Sequence, residues 1–508
     1  MSPLSLVPAP SSLEAGGTPF RLAARTRLEG GADAAAELSR LIEARTGLRL
    51  GEPDDVDAAT AAGAIDLSVE PGGPAESYRL HVAEDGARIV GADAAGLFYG
   101  VQTLAQLIEP DTEGWIVPAA EIADLPRFAY RGVMLDVARH FFDVPTVKGF
   151  VDRASSLKFN ALHLHLTDDQ GWRLHLDARP ALTERAAGLS VGGDPGGFYT
   201  KDDYRELVAY AASRHMIVVP EIDMPGHTHA VGLAYPELAE DPVLSEHILE
   251  VVRDYGGRPP APGVPYDGLA VGFSSLRIRD QATYDFVADV FGELASLTPG
   301  PYLHLGGDEC LGTDPAEFAE FVARASAIVA DLGKTPVTWH EAGAAAGLHP
   351  DTVGQYWGYV TPTEGMDETT RGFVRRGGQV ILSPADAVYL DMKPRPDAEL
   401  GLTWANGATS VRRAYEWEPR DLIYGISEAD ILGVEAPLWT ETVRTPADID
   451  ALAFPRIAAA AEAAWSPATG DSDLRTWESF RDRVAGLAGL WEGLGIGFDG
   501  GDEIAWVR

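Results

Sequence analysis

From about residue 128 onward, short apolar runs alternate with longer stretches in which apolar residues recur every three or four positions. The short runs read as buried parallel strands at 131–137 (RGVMLDV), 160–167 (NALHLHLT), 216–221 (MIVVPE) and 302–306 (YLHLG). Four more follow at 335–339 (TPVTW), 352–356 (TVGQY), 379–383 (QVILS) and 433–438 (GVEAPL). Helical spacing fills most of the gaps between them, at 145–157, 202–214, 281–297, 316–331 and 446–464. Eight strands alternating with helices predict an α/β fold of the (β/α)8, or TIM, barrel type. A doubly wound sheet would want a Gly-rich phosphate turn after its first strand, and RGVMLDVARHF has none.

Upstream, Ala32–Thr46 has helical spacing, while 64–70 and 78–83 alternate like strands. Ala94–Ile108 is amphipathic, with Leu97, Val101, Leu104 and Leu107/Ile108 on one face and Pro110 as a stop signal. The Pro- and acid-rich stretch 109–127 reads as a boundary. The expected organisation is therefore a small N-terminal α/β domain over 1–125 and a catalytic barrel over 126–508. The barrel is expected to end in a terminal helix at 474–495, with Leu487, Leu490 and Trp491 as its packing stripe. The long connection 232–275, with GGRPPAPG at its centre, reads as an insertion near one rim.

Charge narrows the ligand. The 508 residues carry 77 acidic against 40 basic side chains, a formal charge of −37. Such an excess argues against a nucleic-acid backbone and against anionic lipid, and favours neutral or cationic ligands. One cysteine, Cys310, excludes an internal disulfide framework and a thiolate zinc cluster. The first residues, MSPLSLVPAPSSLEAGG, show neither a basic n-region nor a sustained apolar h-region. A cytoplasmic protein is the simplest expectation, or a secreted one if a leader has been removed.

In a barrel of this type the chemistry gathers at the C-terminal ends of the strands. The residues that follow the eight runs are acids, Trp, Tyr, His and Arg: Asp136 and Arg139, Asp168, Glu221 and His227, Asp308 and Glu309, Trp339, Trp357, Tyr389 and Asp391, Trp439 and Glu441. Carboxylates with indoles, and little Lys or Arg, suit a neutral polyhydroxylated ligand with an apolar face, such as a sugar. Glycoside hydrolysis usually uses two carboxyl groups, and Asp308-Glu309 is a candidate pair. Neighbours in sequence are awkwardly placed to flank opposite faces of one ring. That favours one general acid beside one carboxylate that orients a group on the substrate.

Five segments, GLFYGVQTLAQLI (96–108), RGVMLDVARHF (131–141), HLHLTDDQGWR (163–173), PEIDMPGH (220–227) and HLGGDE (304–309), carry a resemblance to the β-N-acetylhexosaminidases of glycoside hydrolase family 20. The resemblance implies exo-cleavage of terminal N-acetylglucosamine or N-acetylgalactosamine, with no cofactor and no metal. It implies Glu309 as general acid and then base, and Asp308 orienting the 2-acetamido group as its carbonyl attacks the anomeric carbon. An oxazolinium intermediate and retention follow. It further implies Tyr389 on the acetamido oxygen, with Trp339, Trp357 and Trp439 walling the methyl. Arg139 would bind the 3- and 4-hydroxyls, with Asp391 and Glu441 on the 4- and 6-hydroxyls. Asp168 and His227 would support the acid, and Trp404 would flank the neighbouring position.

Two rival readings remain open on residues alone. His163 and His165 form a His-x-His pair on one strand face, the spacing of zinc-dependent amidohydrolases. A sugar-binding protein without catalysis would keep the indoles but has no need of the acid. Cys310 directly follows Glu309, yet no adjacent His motif would activate it as a nucleophile.

Overall fold

The computed structural model describes residues 4–50, 63–256 and 258–507. Eight parallel strands close into a barrel in chain order. They are β1 (Tyr130–Asp136), β2 (Ala161–His165), β3 (Ile217–Glu221), β4 (Tyr302–His304), β5 (Thr335–Trp339), β6 (Val353–Tyr356), β7 (Val380–Leu382) and β8 (Ile431–Leu438). Each predicted run overlaps one of these strands, with β1 beginning one residue and β8 two residues before its run. The apolar runs are buried on both faces, as parallel strands covered by helices must be. In-register pairing of β2 with β3 sets His163 beside Val219 and His165 beside Glu221, which fixes the floor of the site.

Helices follow the predicted stretches closely at Val144–Ser156, Lys201–Ser213, Gln281–Leu297 and Pro315–Asp331. The expected helix 446–464 is two helices, Pro446–Ala453 and Arg456–Trp465. Pro455 falls between them, and proline can neither donate to an earlier carbonyl nor fit inside a helix. The tail expected as one helix is likewise broken, into Trp477–Ala485 and Ala488–Gly493 with Gly486 between. The stretch 109–127 is not merely a linker. It holds the strands Glu109–Asp111, Gly114–Val117 and Ala120–Asp124.

The chain forms two compact units. One comprises the described residues of Met1–Arg131, Arg153–Phe159 and Phe454–Arg508; the other is Gly132–Asp152 with Asn160–Ala453. The first contains a six-stranded sheet ordered Ser12–Ala15, Ala120–Asp124, Tyr78–Ala83, Gly86–Gly91, Ala64–Val69 and Arg27–Gly30. Helices Ala32–Thr46 and Ala94–Leu107 contribute Leu38, Leu41, Val101 and Leu104 to a core with Ile65, Leu80 and Ile89 of the sheet. Among the described residues no helix is long and apolar enough to cross a membrane.

The helix Lys201–Ser213, which leads into β3, shows how local chemistry sets an element. Thr200 accepts a hydrogen bond from the Asp203 amide at its side chain, and the Asp203 carboxylate accepts one from the Thr200 amide at 2.9 Å. This reciprocal cap satisfies two amides that the first turn otherwise leaves without a partner. Thr200→Ala is expected to lower unfolding stability by about 1 kcal/mol without altering substrate affinity, as chemical denaturation and steady-state kinetics would show.

Candidate active site

The residues at the C-terminal ends of the strands enclose a cavity of about 520 Å³. Arg139, Asp308, Glu309, Trp357, Tyr389, Trp404, Trp439 and Glu441, eight of the expected site residues, line it. The other four take different places. Asp168 and His227 lie behind the carboxyl pair. Asp391 is buried two residues beyond Tyr389. Trp339 is fully buried and does not reach the cavity surface: it packs 6.1 Å from Trp439 and donates its indole N–H to Glu221 at 2.8 Å. It supports the wall from behind, where sequence reasoning expected a wall.

The acid pair depends on the turn after β4. Gly306 and Gly307 have φ of 70° and 99°, a region that favours glycine. A Cβ on Gly306 would fall 1.8 Å from Asp223 Oδ1, so only glycine permits this approach. Asp223 in turn accepts from the Gly307 amide at 2.9 Å. Glu309 and His227 are themselves at positive φ, 44° and 53°. Non-glycine residues held there carry strain of a kind that concentrates at functional sites.

His227 is the point on which the carboxyl groups converge. Its Nε2 lies 3.7 Å from Glu309 Oε2 and 3.8 Å from Asp308 Oδ2, and its Nδ1 faces Asp168 Oδ1 at 3.2 Å. The ligand atoms of His227, Asp308 and Glu309 all fall within 4.8 Å of one another. Burial alone would discharge His227, but Asp168, Asp223 and Asp308 together hold its pKa well above the usual imidazole value. Burial would likewise raise Asp168; Arg139, His227 and His165 overcome it and keep this carboxyl ionised far below its ordinary value. The Arg139 guanidinium meets Asp168 at 2.8 Å and stacks 4.9 Å over the Trp439 ring.

Glu309 behaves differently. Burial, reinforced by the negative Asp308, pushes its pKa up to about 7 against the pull of His227. About a third of its side-chain surface still opens into the cavity. It is therefore a carboxyl group that can hold a proton near neutrality and present it to a ligand. Burial also raises the Tyr389 phenol well above 10, with Asp308 and Asp391 adding to the effect, so it stays a hydrogen-bond donor. Asp308 is nine-tenths buried, and its Oδ1 has no partner within the protein among the described residues.

Beneath this layer lies a network that sequence reasoning did not assign. Glu221, at the end of β3, receives His163 Nε2 at 3.1 Å and His165 Nδ1 at 2.5 Å on one oxygen. Its other oxygen takes the Trp339 indole and lies 3.0 Å from His304 Nδ1. His163 also donates to Glu435 at 2.8 Å, and His165 to Asp168 at 2.9 Å. Burial opposes charge on both rings, but the flanking carboxylates prevail, raising His163 to about 9 and His165 well above its usual value. The His-x-His pair does share one face, as expected. Glu341, which follows β5 and was likewise given no role, has its pKa raised to about 8 through burial and Asp308, and it accepts the Trp357 indole N–H at 3.1 Å. Burial pushes the Cys310 thiol up, so it is a poor nucleophile.

Comparison with known proteins identifies this constellation. The profile of the "Glycosyl hydrolase family 20, catalytic domain" matches residues 128–317 and 312–468, and that of "Glycosyl hydrolase family 20, domain 2" matches 4–125. The chain belongs to glycosyl hydrolase family 20. A relative, the β-N-acetylhexosaminidase of Cellulomonas fimi, is 40% identical over all of this chain and 98% of its own length. A solved glycoside hydrolase family 20 β-N-acetylglucosaminidase superposes with a TM-score of 0.91 at 63% identity, covering 99% of this chain and all of its own. A variant of the Streptomyces plicatus β-hexosaminidase, solved with its product GlcNAc, gives 0.87 at 42% identity, covering 99% and 98%.

Removing the Glu221 charge would leave two buried imidazolium ions without their shared anion. Glu221→Gln is expected to cost about 3–5 kcal/mol of folding stability, the usual penalty for breaking a buried pair from one side. Urea denaturation at neutral pH would measure it; a loss below about 1 kcal/mol would contradict the charge balance described above.

Proposed function

We propose that this chain is an exo-acting β-N-acetylhexosaminidase, releasing terminal non-reducing N-acetylglucosamine or N-acetylgalactosamine by substrate-assisted, retaining hydrolysis. The observation that carries the reading is the pairing, in one cavity, of Glu309, a carboxyl group that burial and Asp308 push up to about 7, with Asp308, a nine-tenths-buried carboxyl group whose Oδ1 has no protein partner among the described residues. Glu309 delivers its proton to the glycosidic oxygen. The substrate's 2-acetamido carbonyl oxygen attacks the anomeric carbon as the bond to the leaving group breaks. Asp308 accepts the amide N–H, aims the carbonyl and offsets the positive charge of the oxazolinium ion.

Tyr389 donates its phenolic proton to the same carbonyl oxygen. In the second half Glu309, now ionised, takes a proton from water as that water opens the ring and restores the starting state. Trp357 and Trp439 enclose the acetamide and exclude bulk water, which strengthens these charge interactions. Arg139, Glu441 and Asp391 are assigned to the ring hydroxyls, and Trp404 to the neighbouring position. Asp168 fixes His227, whose positive charge steadies the carboxylate form of Glu309 once the proton has left. These roles agree with the family's reaction, in which the substrate's own acetamide is the nucleophile, and retention follows from two successive displacements at the anomeric carbon.

Two experiments test the assignment. Glu309→Gln should lower kcat/KM by about 10²–10⁴ for sugar or alkyl leaving groups, and far less for an aryl group that departs without a proton. Asp308→Asn should slow both classes, because ring closure is impaired whatever leaves; near-normal rates would refute the orienting role. The pH profile has a definite sign. Glu309 must be protonated in the first step, so kcat/KM should be intact below pH about 7 and fall roughly tenfold per unit above it. A flat profile to pH 9 would exclude Glu309 as the acid.

A further inference from the structure

The insertion 232–275 forms one wall of the cavity, and its chemistry is unlike that of the floor. Within it, the helix Glu246–Tyr255 begins at Ser245, whose hydroxyl accepts the Ile248 amide as a cap. Ile248, with Val251 and Val252 beside it, packs against Tyr266, Ala270 and Phe273, so the insertion has a small core of its own. His229, at the foot of the same connection, ties it down through Nε2 to the Val264 carbonyl at 2.7 Å. A wall anchored in this way presents a fixed surface.

That surface is one stripe of the helix. His247, Glu250, Val251, Asp254 and Tyr255 line the cavity, and they stand at i, i+3, i+4, i+7 and i+8, a single helical face. Tyr255 is 62% exposed, and Trp404, from another loop on the same cavity, is 44% exposed. Two exposed aromatic rings at one mouth suit the C–H face of a pyranose. Asp308, at the base of the same cavity, has a buried Oδ1 with no protein partner among the described residues. Because Glu309 protonates the departing oxygen, whatever departs must occupy the part of this cavity beyond it.

The charges on the stripe select among leaving groups. Glu250 and Asp254 are its two carboxylates, and Arg253 approaches Glu250 only to 4.0 Å. Arg139, the only Lys or Arg lining the cavity among the described residues, is already engaged by Asp168 at the floor. We infer that the helix Glu246–Tyr255 is a leaving-group subsite that selects a neutral or amino sugar and disfavours an acidic one. Tyr255 covers the second ring, while Glu250 and Asp254 accept hydrogen bonds from its hydroxyl or amino groups and repel a carboxylate or sulfate.

The inference rests on the hexosaminidase reading, so the test includes a substrate with no second ring. Three substrates are compared: methyl β-N-acetylglucosaminide, N,N′-diacetylchitobiose, and a disaccharide with β-linked N-acetylglucosamine on glucuronic acid. Tyr255→Ala should raise KM for the chitobiose about tenfold relative to its change for the methyl glycoside. Glu250→Gln with Asp254→Asn should raise kcat/KM for the glucuronic acid disaccharide about tenfold relative to the chitobiose. Equal effects on all three substrates would overturn the subsite while leaving the activity intact. Failure of the unsubstituted enzyme on all three would instead overturn the activity on which the subsite depends.

Discussion

Asp308 and Glu309 are neighbours in the chain, and both reach within 3.8 Å of one imidazole nitrogen, so they serve one side of whatever occupies the cavity. Much of the site's chemistry follows from this constraint. Two carboxyl groups so close cannot both be readily ionised in a low-dielectric pocket, and the environment separates them by function. Glu309 keeps its proton to about pH 7. Asp308, held beside the protonated His227 and near Tyr389, has one buried oxygen with no protein donor among the described residues. With one carboxyl group as acid and the other as orienting group, neither is left to attack, which fits the family's use of a displacing atom on the substrate.

Holding this arrangement steady requires buried charge, and buried charge requires balance. The alternation of carboxylate and imidazole from Glu435 through His163, Glu221, His165 and Asp168 to His227 supplies it, each member bonded to the next. A partly satisfied network of this kind would be worse than an apolar core. This one fixes the positions of Asp168 and His227, leaving only His227 Nε2 and His304 Nε2 of its rings without a hydrogen bond among the described residues, and through Trp339 it also fixes the wall formed by Trp439. The catalytic layer and the barrel interior are thus one electrostatic structure, with the inward-facing residues of β2, β3, β4 and β8 as its base.

Much of this was legible in the sequence, and the parts that were not share a cause. Strands announce themselves by local apolar runs, and the residues just beyond them were identifiable because the barrel assigns chemistry to that end. Glu221 was harder to read. It sits in the strand sequence IVVPE, and its partners lie on other strands, His163 and His165 some 56 to 58 positions earlier and Trp339 118 later. No local pattern reveals such a contact. The same holds for Glu341, whose partner Trp357 belongs to the next strand's loop. The helix breaks at Pro455 and Gly486 were locally encoded, but periodicity on either side masked them. The helix inside 232–275 was hidden by the Pro-Gly run that follows it, and its place on the cavity wall is a tertiary fact.

The floor and the wall answer different questions. Charged and aromatic groups at the strand ends determine what bond is broken, and the inserted helix bears on what leaves. Both depend on the substrate carrying its own nucleophile. The most direct measurement is therefore kcat/KM for an aryl β-N-acetylglucosaminide against the matching aryl β-glucoside, which differs by a hydroxyl in place of the amide. The glucoside should be slower by about three orders of magnitude or more, the range ascribed to a well-placed intramolecular reactant. Rates within tenfold of each other would show that the amide takes no part.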